Sequence, residues 1–240
     1  MSLRNSAVMK IDMEHKNFER ELPDGYKLAR YINAKSAKFG LVFNLIALAV
    51  WITVEMIALI PFLCSGALSP WHIIPFFFIG ALGGMIPFVA YIVLHELMHG
   101  WAYKRKTGEK LKFGMSWSCA FCGVPHIYTY RSTALLAVLL PLVVFTAIFL
   151  PLTVACCALA LAFENATVLL AIYAVLVFVL AMHLGGCAGD IYVALLFMMK
   201  YKDPKTLMRD TGPEQYFYVP DEDYVLSGGH NDQNNGVTSL

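Results

Sequence analysis

Long apolar runs separated by shorter polar segments dominate the pattern of this chain. An α-helix needs about 20 mainly apolar residues to cross a membrane. Four runs meet that requirement, at residues 39–64, 72–101, 133–163 and 167–199. We therefore predict an all-α integral membrane protein, built as a bundle of four transmembrane helices.

A second pattern, with the period of a β-strand, lies between the second and third runs. Leu111, Phe113, Met115 and Trp117 alternate with small or polar residues, as in a half-buried strand. Residues 127–131 are a candidate partner, which gives a short cytosolic β-hairpin between helices 2 and 3. Two interpretations of the 111–117 strand stay open: an amphipathic ribbon on the membrane surface, or an edge strand that binds substrate.

The segments that flank the apolar runs complete the predicted organisation. Residues 1–38 form a cytosolic N-terminal segment with short helical or strand elements, residues 39–200 form the membrane domain, and residues 201–240 form a cytosolic tail. The tail should be disordered from about residue 227, because it becomes rich in Gly, Asn and Ser there.

Composition supports the membrane assignment and narrows the partners. The chain is 58% hydrophobic and has a mean hydropathy of +0.61, which excludes an ordinary soluble domain. The net charge of +1 gives no sign of a nucleic-acid partner, and we expect none. The expected surroundings are the lipid bilayer, and the sequence predicts no oligomeric state.

The distribution of Lys and Arg predicts the topology. Eight of these residues precede the first run, six lie between residues 102 and 132, and four lie from Lys200 onward, which accounts for all 18. Cytoplasmic loops of membrane proteins are enriched in basic residues. We therefore predict a multi-pass protein with both termini cytosolic.

The strongest chemical signal is the segment His95-Glu96-Leu97-Met98-His99, near the end of the second run. Two histidines four residues apart lie on one face of a helix, where both imidazoles can bind the same metal ion. The glutamate between them is placed to handle a proton. This HExxH pattern predicts a Zn²⁺ site with His95 and His99 as ligands and Glu96 as a catalytic base.

A third protein ligand must come from another segment, since a catalytic zinc keeps one position for water. Asp190 and His183 lie in the fourth run, and ionisable groups at membrane depth are functional candidates. His95 and Asp190 each lie nine or ten residues before a lysine at the cytosolic boundary, so both are roughly 14 Å deep. We favour Asp190 as the third ligand, because it lies at the same depth as His95. His183 is the alternative, and it is less favoured because it lies about 10 Å deeper in the membrane.

If Asp190 binds the metal, His183 is free for another role. It could donate a hydrogen bond to the substrate carbonyl or its oxyanion, or it could orient another ligand. We therefore count His183 with Glu96 as a catalytic candidate. The structural alternative is a buried histidine that hydrogen-bonds a backbone carbonyl.

Other candidates carry weaker signals. Glu55 lies within the first run and is either a partner of the metal site or a glutamate in a polar bundle interior. Cys119 and Cys122, with His126 nearby, form a lone CxxC for which a separate metal site is a poor explanation. Two GxxxG pairs, one in the second run and one in the fourth, would let the ligand-bearing helices pack closely.

These segments resemble a family of bacterial membrane zincin peptidases, first catalogued as a domain of unknown function. The resemblance rests on the HELMH segment, on the basic loop with its apolar strand, and on His183-Leu-Gly-Gly-Cys-Ala-Gly-Asp190-Ile. Leu22-Pro-Asp-Gly-Tyr-Lys and Met208-Arg-Asp-Thr-Gly-Pro-Glu-Gln-Tyr-Phe-Tyr also look like that family.

More distantly, the chain is similar to site-2 proteases, which carry HExxH in one membrane helix and an aspartate ligand in a later one. This resemblance also implies that Asp190 is a metal ligand. Two positions depart from the site-2 protease pattern. Asp190 is followed by Ile191 rather than glycine, and His183 stands in place of an upstream asparagine.

The expected function is a zinc metalloprotease of the bacterial cytoplasmic membrane, with residues 39–200 as its catalytic domain. It should hydrolyse a peptide bond of a peptide or membrane-protein substrate in or next to the cytosolic half of the bilayer, with zinc-bound water activated by Glu96. The alternatives are a non-catalytic membrane metal-binding protein, a zinc transporter, and a degenerate homologue that binds membrane segments without cutting them.

Overall fold

Four long apolar helices form most of the structure, a computed structural model that describes residues 16–116, 120–163 and 166–221. The helices are α1 (Ala37–Cys64), α2 (Ile73–Thr107), α3 (Arg131–Ala162) and α4 (Thr167–Gly186), and a short α5 (Ala188–Leu195) follows α4 directly. Each of the four spans is long and apolar enough to cross a membrane. The prediction of four helices that are long and apolar enough to span a membrane is therefore confirmed.

The fourth span is the central helix of the bundle. Half of its most apolar window is buried inside the protein, against 17–22% for the other three spans. Tyr173, Val177 and Phe178 of α4 are buried, and Tyr173 and Val177 share a hydrophobic cluster with Leu59 of α1 and Phe76 of α2. Most large side chains on the outer helices are exposed, as expected where lipid is the solvent.

Glycines allow α2 to approach α4 closely. A Cβ added at Gly80 would lie 2.8 Å from the backbone oxygen of Ala174, and one added at Gly84 would overlap the ring of Phe178. The second glycine pair behaves differently, because Gly185 contacts Ala47 of α1 and nothing lies within 4 Å of a Cβ at position 189. The close approach of α2 and α4 is thus provided by the pair on α2.

A five-stranded antiparallel sheet lies at one end of the helices. Its order is β1 (Phe18–Glu19), β5 (Tyr128–Tyr130), β6 (Leu207–Asp210), β7 (Glu214–Pro220) and β2 (Tyr26–Asn33). Met208 and Phe217 from this sheet form one buried cluster with Val138 of α3 and Phe197. The sheet therefore shares a hydrophobic core with the helix bundle.

This sheet shows that one part of the predicted fold class is wrong. The protein is mostly helical, but it is not an all-α protein with a single β-hairpin. A hairpin between α2 and α3 is present, formed by β3 (Lys112–Met115) and β4 (Ala120–Gly123). Residues 127–131 do not pair with it, since β5 pairs with β1 and β6 instead. The main sheet collects short strands from three distant segments, and its backbone groups are satisfied only after these segments meet. Trp117, Cys119 and the predicted disorder from about residue 227 lie outside the described residues.

The fourth span is interrupted next to the predicted metal ligand. Helix α4 ends at Gly186 and α5 begins at Ala188, with Cys187 between them. The backbone N–H of Cys187 bonds to the carbonyl of His183, and that of Ile191 bonds to the carbonyl of Cys187, so the chain continues with little change in direction. The break leaves Asp190 in the first turn of α5.

Candidate metal centre

One face of α2 carries a column of polar side chains. Tyr91, His95, His99 and Tyr103 follow one another at intervals of four residues, which places them on the same side of the helix. All four are buried. A helix of otherwise apolar composition therefore points its polar side chains into the protein rather than toward lipid.

The structure brings the two histidines of HExxH together with Asp190. The Nε2 atoms of His95 and His99 are 3.0 Å apart, and Oδ2 of Asp190 lies 3.2 Å from the first and 3.5 Å from the second. A tetrahedral zinc with ligand bonds of about 2.0–2.1 Å separates its ligand atoms by roughly 3.3 Å. The three atoms therefore have the spacing expected for ligands of a single zinc ion, and two imidazoles with a carboxylate are donor groups that zinc accepts.

The proton on His99 is fixed by a proline in α3. Pro141 has no backbone N–H, so the carbonyl of Ala137 lacks its usual helical partner four residues later. Nδ1 of His99 lies 2.8 Å from that carbonyl oxygen. Because a carbonyl can only accept, Nδ1 carries the proton and Nε2 keeps a lone pair for the metal. This contribution was not predicted from the sequence, although a proline inside an apolar helix is a visible signal.

His183 lies behind the metal centre rather than in its cavity. Its side chain is fully buried, and Nδ1 lies 2.7 Å from the hydroxyl of Tyr91, which is also 2.7 Å from Nδ1 of His95. Nε2 of His183 lies 2.9 Å from Oγ1 of Thr146. A hydrogen-bonded chain therefore joins His183 to His95. Tyr91 was not predicted from the sequence, where a tyrosine four residues before His95 has an ordinary packing explanation.

Three buried residues, His95, His183 and Cys187, form another group with metal-ligand chemistry. The Tyr91 hydroxyl lies between the two histidines and hydrogen-bonds both. Cys187 contributes only a long contact, with Sγ 3.6 Å from Nδ1 of His183. The group is therefore held together by hydrogen bonds, with Tyr91 in the space a second ion would need.

A cavity of about 160 Å³ opens beside the three predicted ligands. Glu96 lines it, and its carboxylate accepts a hydrogen bond from the backbone N–H of Cys122 in β4. The other walls include Tyr192 and Asp190 from α5. The cavity thus joins the predicted base, the predicted ligands and the edge of a β-strand.

Asp210 brings a further carboxylate to this cavity from strand β6. Its Oδ2 accepts a hydrogen bond from the hydroxyl of Tyr103 at 2.7 Å, and its Oδ1 accepts one from the N–H of Gly212 at 2.8 Å. Burial raises the pKa of Asp210 to about 7, although both hydrogen bonds favour the ionised form. Asp210 was not predicted from the sequence, because only the tertiary pairing of β6 places it near α2.

Among the described residues, the weaker candidates contribute no ligand atom to the candidate metal centre. Glu55 is buried between α1, α2 and α4, where Trp51 Nε1–H donates to its Oε1 at 3.0 Å and no described group hydrogen-bonds Oε2. Cys122 is a buried free thiol whose pKa burial raises to about 12, and His126 is exposed. The described residues hold no metal-ligating group that contains Cys122 or His126.

Comparison with known proteins adds a family to this geometry. Residues 88–204, a little under half of the chain, match the family described as "Putative zincin peptidase". Through this segment the chain is similar to that family. The zincin family implies zinc and a peptidase activity, and the matched segment contains both HExxH and Asp190. No curated protein and no solved structure matches the chain.

Proposed function

We propose that this protein is a membrane-embedded zinc metalloprotease that cleaves peptide bonds in or next to the cytosolic half of the bilayer. The observation that carries the proposal is the triangle of His95, His99 and Asp190, which faces the same cavity as Glu96. Its three sides of 3.0–3.5 Å match one zinc ion, and the similarity of residues 88–204 to the zincin peptidase family supports the same chemistry.

Glu96 has the position of a general base. A zinc ion held by His95, His99 and Asp190 would act as a Lewis acid, which polarises the scissile carbonyl and makes the attacking water more acidic. Glu96 accepts the proton of the attacking water and passes it to the leaving amine. The N–H of Cys122 holds the carboxylate in the cavity while this proton moves.

The cytosolic placement is supported by the sheet. Strands from the N-terminal segment, the loop between α2 and α3, and the tail are paired, so the described Lys and Arg residues, which are all of the chain's 18 except Arg4 and Lys10, lie in segments at one end of the helices. Basic segments favour the cytosolic side. The metal cavity opens at that same end, since β4 and Asp210 line it. We therefore place both termini and the active site on the cytosolic side.

The substrate should bind in an extended form along β4. Of the two strands in the hairpin, β4 is the one that lines the cavity, through Ala120, Phe121 and Cys122. Strand β3, which lies in the 111–117 region, pairs with the other edge of β4. Because the Cys122 N–H points to Glu96, the N–H and C=O groups of Ala120 also point away from β3, toward the cavity. This edge can pair with a peptide, and a helical membrane segment would have to unwind before it could pair.

Replacing Glu96 with Gln tests the proposal. The substitution keeps the size of the side chain and removes the base, so peptide cleavage by the purified protein should fall by at least about 100-fold. Stoichiometric zinc should be retained, because Glu96 is not a ligand. Glu109→Gln is the matched control, since Glu109 pairs with Arg20 at the surface and should leave cleavage unchanged.

Three results would overturn the proposal. A purified wild-type protein without chelator-sensitive cleavage of peptides or single-span membrane substrates would indicate a non-catalytic metal-binding protein. Cleavage that survives in Glu96→Gln would remove Glu96 as the base. Zinc uptake into vesicles that is equal in wild type and Glu96→Gln would identify a transporter instead.

A further inference from the structure

A chain of hydrogen bonds leaves the candidate metal centre on the side away from the cavity. It runs from Nδ1 of His95 to the hydroxyl of Tyr91, then to Nδ1 of His183, at 2.7 Å for each step. It ends at Nε2 of His183, which lies 2.9 Å from Oγ1 of Thr146. The backbone carbonyl of Leu142, four residues before Thr146 on α3, also acts on this imidazole as an acceptor, and Nε2 is the nitrogen that does not face Tyr91. Tyr91 is only 5% exposed and His183 is 0% exposed, so water does not compete for these bonds.

The carbonyl at the far end sets the direction of every proton in this chain. A backbone carbonyl can only accept, so Nε2 of His183 carries the proton and its Nδ1 does not. Nδ1 therefore accepts the single hydroxyl proton of Tyr91. The Tyr91 oxygen is then an acceptor for Nδ1–H of His95. With its proton on Nδ1, the neutral imidazole of His95 has an unprotonated Nε2, which is the atom that faces His99 and Asp190.

We propose that Tyr91 and His183 are positioning residues that hold His95 in the tautomer able to bind zinc through Nε2. The inference rests on the metal site of the proposed function but does not depend on proteolysis. It also assigns His183 a role that keeps it away from the substrate. The two histidine ligands are then fixed in parallel ways, His99 by the Ala137 carbonyl and His95 by Tyr91.

This chain of hydrogen bonds from His95 through Tyr91 to His183, which we call the relay, predicts a specific conflict when His183 is removed. Without His183, the acceptors left in reach of the buried Tyr91 proton include Nδ1 of His95, which lies 2.7 Å from the hydroxyl, and the Sγ atom of Cys187. The imidazole nitrogen is the stronger acceptor of the two, since a cysteine sulfur accepts only weakly. Tyr91 would then donate to that atom and favour the tautomer with its proton on Nε2, which cannot ligate. Loss of His183 should therefore weaken zinc binding more than loss of both His183 and the Tyr91 hydroxyl.

The test measures zinc affinity of the full chain in detergent by competition with a chromophoric chelator. His183→Leu should lower the affinity about 10- to 100-fold, the range typical of partners that orient a ligand. Tyr91→Phe should lower it by a smaller factor, and the double variant should bind zinc more tightly than His183→Leu alone. A purely structural role would make the double variant the weakest binder.

Conservative and matched variants separate this effect from misfolding. His183→Gln keeps an acceptor for Tyr91 and a donor for the Leu142 carbonyl, so it should restore most of the affinity. Tyr173→Phe removes another buried hydroxyl, which donates to the Ala58 carbonyl of α1 at 2.8 Å, and should leave zinc affinity unchanged. If His183→Leu does not fold, a loss in Tyr91→Phe without a loss in Tyr173→Phe supports the relay.

The outcomes distinguish the relay from the metal site on which it rests. A wild-type protein that binds no zinc would overturn the metal site itself. If the wild type binds zinc and both His183→Leu and Tyr91→Phe bind it equally well, the relay is wrong while the metal site stands. The relay is also wrong if the folded double variant binds less zinc than either single variant.

Discussion

At the scale of single residues, the candidate site depends on backbone groups as much as on its ligands. The clustering of His95, His99 and Asp190 could be predicted from spacing and membrane depth, because HExxH and an acidic residue in an apolar helix are local signals. The groups that orient them could not. The Ala137 carbonyl and the Cys122 N–H reach the site only through tertiary packing. A sequence pattern of side chains contains no record of such backbone contacts.

Pro141→Ala tests the role of the free Ala137 carbonyl. The new backbone N–H at position 141 would compete with His99 Nδ1–H for the same oxygen, which can accept both bonds but in poorer geometry. Zinc affinity should fall a few-fold, measured by chelator competition. Pro151→Ala is the control, since Pro151 is an exposed proline in the same helix and does not line the metal cavity. Equal affinity in both variants and the wild type would show that the proline is irrelevant to the site.

At the scale of elements, the helices were predictable and the main sheet was not. A run of 20 or more apolar residues specifies a spanning helix by its length alone. The strands β1 and β5 contain only two and three residues, and they pair with segments far away in the chain. Their existence depends on partners that no local pattern reveals. The alternation at 111–117 did locate β3. Its partner, however, is β4 rather than residues 127–131, and the strand beside the cavity is β4 rather than β3.

Ala120→Pro tests whether the edge of β4 binds substrate. Ala120 lies opposite Met115, in a pair whose N–H groups point outward, so proline removes a donor to the cavity while the pairing with β3 is kept. Peptide cleavage should show a KM raised several-fold, with zinc content unchanged. Met115→Pro is the matched control, because it removes the outward N–H on the opposite side of the same hairpin. A KM that rises equally in both variants would point to general damage to the hairpin.

At the scale of the whole molecule, the sheet and the helix bundle meet at the metal centre. Tyr103 of α2 donates to the carboxylate of Asp210, and the N–H of Val124 donates to the Asp210 backbone carbonyl at 2.8 Å. The N-terminal segment and the tail pair through β2 and β7, and Ile32 of β2 lines the same cavity. Distant parts of the chain therefore enclose the site together, which makes its geometry depend on the complete fold.

Asp210 should link the stability of this enclosure to pH. Its pKa is about 7 in the folded protein, raised by burial from an ordinary value of 3.8. The unfolded chain therefore ionises first as pH rises. Stability from this group is complete below about pH 4, falls between about pH 4 and 7 by on the order of 1 kcal/mol per pH unit, and is constant above.

Asp210→Asn removes that ionisation and keeps an acceptor for Tyr103. In metal-free protein, thermal unfolding of the variant should match the wild type at pH 4, and its Tm should exceed that of the wild type increasingly up to pH 7. Asp203→Asn, at an exposed carboxylate in the turn before β6, should show no such trend. A Tm difference between Asp210→Asn and wild type that stays the same from pH 4 to pH 8 would mean that Asp210 does not titrate between the folded and unfolded states.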